Sequence, residues 1–443
     1  MAFSLFEVTG VEIEWMIVDR ATMNVAPKAD LLLQAAAKLP GAVVDPEEDP
    51  NVDSNWPGGV DVGPIGWSNE LTAHVVEFKT SQPVRSLATL SHDFHAAAKQ
   101  ANALLAPMGL LLLPGAMHPW MDPARETVLW QHAYADVYAT FHKLFNCNRH
   151  GWANLQSCHI NLPFASDADP MDEFGRLHAA IRMVLPILPA IAAASPVVDG
   201  VLTGMMDSRL ETYRTNATRV PEATARVIPE AVFTRSEYDA KIFQPLYAAL
   251  AKIEPQGTLG QEFSNARGAI ARFSRGAIEI RVIDAQECPK ADIAIVALTR
   301  ALVRALTLGE IGPGTKVLQA FDVEALLAIL QSTIRDGDHA MIVDEAYLKA
   351  LGYPHATCRA DELWRHLAEN VLGSPVSTSS SKHAPSTDEV PSETKPTIDE
   401  ILAKGCLARR LSQAIGPNLS RGRLIEVYTR LATSLETNTL FIP

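Results

Sequence analysis

Glu279 and Arg281 stand two positions apart in Gly276-Ala-Ile-Glu-Ile-Arg-Val-Ile-Asp284. A carboxylate can hold a divalent cation and a guanidinium can hold a phosphate fork, so the pair could share one ligand. Glu12 and Glu14 are spaced the same way in Gly10-Val-Glu-Ile-Glu-Trp-Met-Ile-Val18. Two carboxylates on one face of an apolar segment repel each other, and a cation between them relieves the repulsion. Glu77 lies in Glu70-Leu-Thr-Ala-His-Val-Val-Glu-Phe-Lys-Thr80, and His159 in Leu155-Gln-Ser-Cys-His-Ile-Asn-Leu-Pro163. In isolation each has an ordinary explanation: a solvated ion pair for Glu279 with Arg281, an edge charge for Glu77, a satisfied core histidine for His159. Together they are the raw material of a metal–phosphate site.

Strands must carry these groups. Ile278, Ile280 and Val282 point one way by strict alternation, and Glu279, Arg281 and Ile283 the other. Val11, Ile13, Trp15 and Ile17 likewise form a back to Glu12, Glu14 and Met16. The pattern predicts an oily-backed sheet with charges on its front. Helical spacing over 28–39, 86–105 and 292–308 predicts helices. Residues 40–69 carry Pro40, Pro46, Pro50, Pro57, Gly58, Gly59, Gly63, Pro64 and Gly66, and predict an irregular excursion: a lid, a binding loop or a disordered insert. Residues 374–397 are rich in Ser, Thr, Pro, Glu and Lys and hold no aromatic residue, which predicts a flexible linker or insert. The expected organisation is a catalytic unit over 1–373, that linker, and helices over 398–443 packing back with Val427, Tyr428 and Leu431 inward.

Other candidates are more weakly marked. Gly200 and Gly204 in the 195–209 loop allow close backbone approach, with Arg209 and Arg214 at or near its end; substrate closure and a structural salt bridge are the alternatives. Asn265 and Arg267 are candidate phosphate contacts, which adds Arg267 to Arg281 as a nucleotide-binding residue. His118, after a short apolar run, either faces a site or packs under Trp120.

The totals exclude some classes. The chain has 443 residues, 47% of them hydrophobic, enough for a large core. A net charge of −13 argues against a nucleic-acid binder, while leaving nucleotides open because a metal offsets local charge. Five scattered cysteines without paired metal spacing suggest reduced thiols and a cytoplasmic protein. No apolar run is long enough to span a membrane. The sequence shows neither a signal peptide at its start nor an internal repeat.

The ordered stretches Gly10–Glu14, Val75–Thr80, Gly115–Trp120, Gln156–Asn161, Ala194–Arg209 and Gly276–Asp284 resemble the glutamate–cysteine ligase type 2 and carboxylate–amine ligase family, across most of residues 1–300. The resemblance implies an α+β, glutamine-synthetase-like fold whose mostly antiparallel sheet carries the active site. It implies Glu12, Glu14, Glu77 and His159 as metal ligands, with Glu279 a ligand shared with nucleotide phosphates. Arg281 would contact the transferring phosphate, and Arg209 would hold substrate carboxylate or phosphate. ATP with Mg²⁺ or Mn²⁺ would activate a carboxylate, glutamate first, for attack by an amine, cysteine or another. The partners implied are small molecules, an amino acid and an amine, with an oligomer allowed. Glu70 matches an acidic position of the family; Ala73 departs from one, which leaves the number of metal ions open. A phosphotransferase of the same fold and a non-catalytic nucleotide- or metal-binding protein are the alternatives.

Overall fold

Apolar–polar alternation carries Gly10–Asp19 into β1, at the middle of a nine-stranded sheet. The computed structural model describes residues 3–45, 55–165, 172–259, 264–372 and 390–443. In chain order the strands of its first half are β1, β2 (Val43–Val44), β3 (Gly59–Val62), β4 (Ile65–Asn69), β5 (Val75–Thr80), β6 (Leu110–Leu113) and β7 (Ser157–Pro163). A separate hairpin, β8 (Val197–Val198) with β9 (Val201–Leu202), precedes β10 (Ala269–Arg272) and β11 (Ala277–Asp284). The sheet order is β10-β11-β7-β1-β5-β4-β3-β2, with β6 pairing the C-terminal half of β1, and the pairings are antiparallel.

The back of the sheet is apolar as the alternation predicts. Val11, Ile13, Trp15, Ile17, Phe78, Ile160, Ile278 and Ile280 have no exposed surface. They share one core with the helices Leu90–Leu105, Glu173–Val184 and Pro289–Leu308. The last starts with Pro289 in its first turn, where no N–H is needed, and stops at Gly309 with φ +70°.

Three expectations are corrected. Residues 40–69 are not wholly irregular: β2, β3 and β4 lie there, and Gly63 at φ +65° turns β3 into β4. Residues 46–54 of that stretch lie outside the described residues. The strict alternation of β11 fails after Ile280. A register shift places Ile283 opposite Cys158, on the apolar back, instead of beside Glu279 and Arg281. The third concerns 374–397. Residues 373–389 lie outside the described residues, but Thr394–Lys404 is a helix that begins inside the expected linker, with Thr394, Thr397 and Ile398 buried.

The helices Leu407–Ile415 and Arg421–Thr437 close the other half of the sheet front. Leu407, Leu411, Val427, Tyr428 and Leu431 pack on Met16, Val18, Leu111 and Leu113. The front of β1 is thus divided: Met16 and Val18 are covered, and Glu12 and Glu14 stay on the open half. Among the described residues no helix is long and apolar enough to cross a membrane. The five cysteines are buried and unpaired.

Candidate active site

Register, more than sequence proximity, assembles the charged face. Glu12 of β1 lies opposite His159 of β7 on one side and Lys79 of β5 on the other. One step along, Glu14 lies opposite Glu77, which lies opposite Ser68 of β4. Glu279 of β11 lies opposite Asn161 of β7. Residues paired across antiparallel strands point to the same face, so four strands deliver six acids and bases to one surface.

Hydrogen bonds fix each of them. His159 Nδ1 lies 2.9 Å from Glu12 Oε2, and its Nε2 lies 2.8 Å from Ser157 Oγ. Asn161 Nδ2 donates to Glu12 Oε1 at 2.9 Å. Glu14 Oε2 accepts from the Ser157 backbone N–H at 2.8 Å and from its hydroxyl at 3.1 Å. Glu77 Oε1 accepts from Ser68 Oγ at 3.0 Å, with Lys79 Nζ at 3.7 Å. Glu279 bridges two arginines: Arg272 Nε is 2.6 Å from Oε2 and Arg281 Nε is 3.3 Å from Oε1.

The electrostatics divide the face in two. Burial opposes charge on Glu279, but Arg281 and Arg272 outweigh it and hold the carboxyl down to about 2. Burial likewise opposes the charged forms of Glu12 and His159; their mutual hydrogen bond prevails, lowering the acid and raising the imidazole. Glu70 and Glu77 behave oppositely. Burial, then the charge of Glu14, pushes Glu70 up to about 8 against the pull of Arg281. Burial and the charge of Glu12 push Glu77 well above the ordinary carboxylate range. A crowd of carboxyls with too few cations takes up protons instead.

That deficit is what a metal would fill. Two groups of donors converge among the described residues: Glu12, Glu77 and His159, and Glu14, Glu70 and Glu77, each with ligand atoms within 4.8 Å of one another. Glu77 belongs to both. Carboxylate oxygens with one imidazole suit Mg²⁺ or Mn²⁺. Glu70, between β4 and β5, belongs to the second group, while the buried Ala73 offers no ligand atom.

The other expected residues lie differently. Glu279 is in neither donor group; its oxygens face the two guanidiniums, and its Oε1 lies 3.8 Å from His159 Nδ1. The Arg281 side chain pairs with Glu279 through Nε, and among the described residues its terminal nitrogens make no hydrogen bond, which leaves them for a ligand. Arg209 is buried, with Nε on Asp284 and both terminal nitrogens toward the Arg281 carbonyl. Arg267 forks onto Glu230 at 2.6 and 2.7 Å and also donates to the Glu222 carbonyl, so it braces a loop away from the charged face. Arg214 pairs with Glu211 along its own helix. His118 is buried, with Nε2 2.7 Å from the Met23 carbonyl and its ring edge-on to Trp120. Residues missed at the level of sequence are Ser157, Asn161 and Arg272. The first two flank His159 at the period of a strand, and Arg272 becomes visible only when β10 pairs with β11.

The Glutamate-cysteine ligase family 2 pattern matches residues 8–329, which contain both donor groups and Arg281. An uncharacterized protein of Archaeoglobus fulgidus is 30% identical over 381 residues, 86% of this chain and 90% of its own. A Corynebacterium glutamicum protein provisionally named glutamate–cysteine ligase 2 is 24% identical over 357 residues, 76% of this chain and 79% of its own. The crystal structure of glutamate–cysteine ligase from Francisella tularensis in complex with AMP superposes with a TM-score of 0.56 at 9% identity, covering 99% of this chain and 90% of that one, and so shares the fold. With the match spanning the sheet from β1 through β11 and the helices on its back, the chain belongs to glutamate–cysteine ligase family 2.

Proposed function

We propose that the protein is an ATP-dependent carboxylate–amine ligase that joins glutamate to an amine, cysteine or another, through an acyl phosphate. The observation that carries this reading is the pair of donor groups sharing Glu77 beside an arginine whose terminal nitrogens make no hydrogen bond among the described residues. Making an amide from a carboxylate in water is uphill, and phosphorylating the carboxylate first supplies the drive. A substrate carboxylate oxygen attacks the γ-phosphorus of ATP and ADP leaves. The amine nitrogen then attacks the acyl carbon and phosphate leaves.

Glu12, Glu77 and His159 would hold one Mg²⁺ or Mn²⁺, and Glu14, Glu70 and Glu77 a second. Bound there, the ions supply neutralisation of phosphoryl oxygens during transfer. Arg281 adds a fixed positive charge at the same place, and Glu279 with Arg272 keeps it oriented. Ser157 and Asn161 hold Glu14 and Glu12 in the rotamers that face the site.

The test is ADP release with ATP and Mg²⁺, first with glutamate alone and then with a panel of amines, with the product identified by mass. Release stimulated by glutamate plus one amine, with an amide formed, is expected. Glu279→Ala should lower it by about 100-fold, since Arg281 loses its anchor. Unchanged turnover in that variant, or a stable phosphorylated product in place of an amide, would sink the reading.

A further inference from the structure

We propose that Arg209 is a positioning residue that locks a bulge in β11 and so aims Arg281, in place of gripping substrate itself. The role given to Arg281 rests on the ligase reading above; the lock itself rests on the geometry. Along the β7–β11 pairing, Ile280 lies opposite Ile160 and Ile283 opposite Cys158. Arg281 and Val282 therefore face His159 together. Two residues against one is a bulge, which interrupts the ladder, bends the strand and redirects its side chains. Here it separates the alternation that puts Glu279 on the front from the one that puts Ile283 on the back.

Such a backbone needs holding. The Arg281 N–H donates to the Gly268 carbonyl at 2.9 Å. The Arg281 carbonyl faces Arg209, whose Nη1 and Nη2 approach it at 3.5 and 3.4 Å. Arg209 is in turn fixed by Asp284, three residues further along the same strand, through Nε. The second Asp284 oxygen accepts from the Ala194 N–H at 2.7 Å and from Ser195 Oγ at 3.0 Å. Ser195 Oγ also accepts from the Arg209 N–H at 3.0 Å. The loop from Ala194 to Arg209 thus closes a ring of bonds onto the bulged strand, with both ends of the ring on β11.

Exposure separates the two roles. The Arg209 side chain is 3% exposed and that of Arg281 is 29% exposed. A substrate carboxylate would have to break the ring to reach the first, whereas the second presents terminal nitrogens that make no hydrogen bond among the described residues. The bulge also lies opposite His159, so a lapse in the lock would disturb the phosphate contact and a metal ligand together.

Arg209→Lys and the milder Ser195→Ala test this. Two quantities are measured: steady-state ADP release, and amide hydrogen exchange in peptides spanning residues 279–284. In both variants exchange in β11 should quicken while β5 is unchanged. In Arg209→Lys kcat should fall by about 100-fold, the scale set by misplacing a catalytic group by an ångström. KM for each substrate, and Kd for a non-hydrolysable ATP analogue, should stay within about threefold of the parent. Ser195→Ala should move the same quantities in the same directions by less. A tenfold or greater rise in a substrate KM with kcat held would make Arg209 a direct ligand and overturn the proposal. Unaltered β11 exchange in both variants would overturn it as well. If the parent protein turns over no acid–amine pair, the ligase reading fails on its own, and the exchange comparison still decides the lock.

Discussion

Glu77 is the residue on which the two donor groups converge, and this makes them separable by mutation. Glu70→Gln removes a ligand from one group only. Glu77→Gln removes one from both. In a Mn²⁺ titration followed by electron paramagnetic resonance, the parent should bind two ions per chain, Glu70→Gln one, and Glu77→Gln neither with parental affinity. Retention of one ion at full affinity in Glu77→Gln would show that the carboxylate is not shared. Protonation gives a second handle on the same residues. Burial and like charge keep Glu77 and Glu70 protonated above the ordinary range, Glu70 to about 8. A cation must displace those protons, so affinity should tighten between about pH 6 and pH 8, with protons released into a weak buffer. Binding independent of pH over that interval would place the ions elsewhere.

At the scale of elements, the bulge and its neighbours depend on a tight fit between β10 and β11. Gly268 immediately precedes β10, and a Cβ there would lie 2.6 Å from Val282 Cγ1 and 2.9 Å from Val227 Cγ1. Its carbonyl is also the acceptor for the Arg281 N–H. Gly268→Ala should therefore cost about 1–3 kcal/mol, the usual penalty for overfilling a packed site, and lower activity beyond what the lost stability explains. Denaturant unfolding measures the first and ADP release at saturating substrate the second; a neutral effect on both would mean the strand relaxes freely. The same region marks the limit of what the sequence discloses. Period-two alternation places Glu12, Glu14 and Glu279 on a front face because each lies before any irregularity in its strand. It misplaces Ile283 because an inserted residue changes the phase without changing composition. It misses β3 and β4 because their glycines and prolines, needed for the tight hairpin, are the residues that otherwise mark loops. The partners of Arg209 and Arg267, Asp284 and Glu230, are 75 and 37 residues distant, so no local pattern tells a buried strut from a substrate clamp.

Over the whole molecule, buried ionisable groups of opposite kinds set how stability responds to acid. His74, His118 and His178 are buried and held neutral by desolvation, His74 down to about 4 and the other two to about 3. Their folded values are depressed below an unfolded value near 6.5. Each therefore contributes stability that is fully present above about pH 6.5 and is lost as pH falls toward the folded value, because only the unfolded chain takes up the proton. Asp207, Asp292 and Glu77 are pushed up by burial and act in the reverse sense over part of the same interval: the folded chain binds protons that the unfolded chain has already lost. The net curve for the intact protein is a difference between these sets, so a single substitution reveals the sign more clearly than the parent curve does. His178 offers the cleanest case, since its ring stacks on Phe174 at 5.4 Å, its Nδ1 lies 2.7 Å from the Val232 carbonyl, and its Nε2 has no acceptor among the described residues for the N–H that a second proton would create. His178→Phe keeps the ring and removes the titration. Whatever it costs at pH 7 through the lost hydrogen bond, the variant should recover stability relative to the parent at about 1.4 kcal/mol per pH unit below pH 6.5, or about 2 kcal/mol by pH 5. Denaturant unfolding of both proteins at several pH values measures that difference. Parallel curves from pH 7 to pH 5 would show that His178 takes up its proton inside the folded protein, against the apolar surroundings that Phe174, Tyr238 and Phe233 provide.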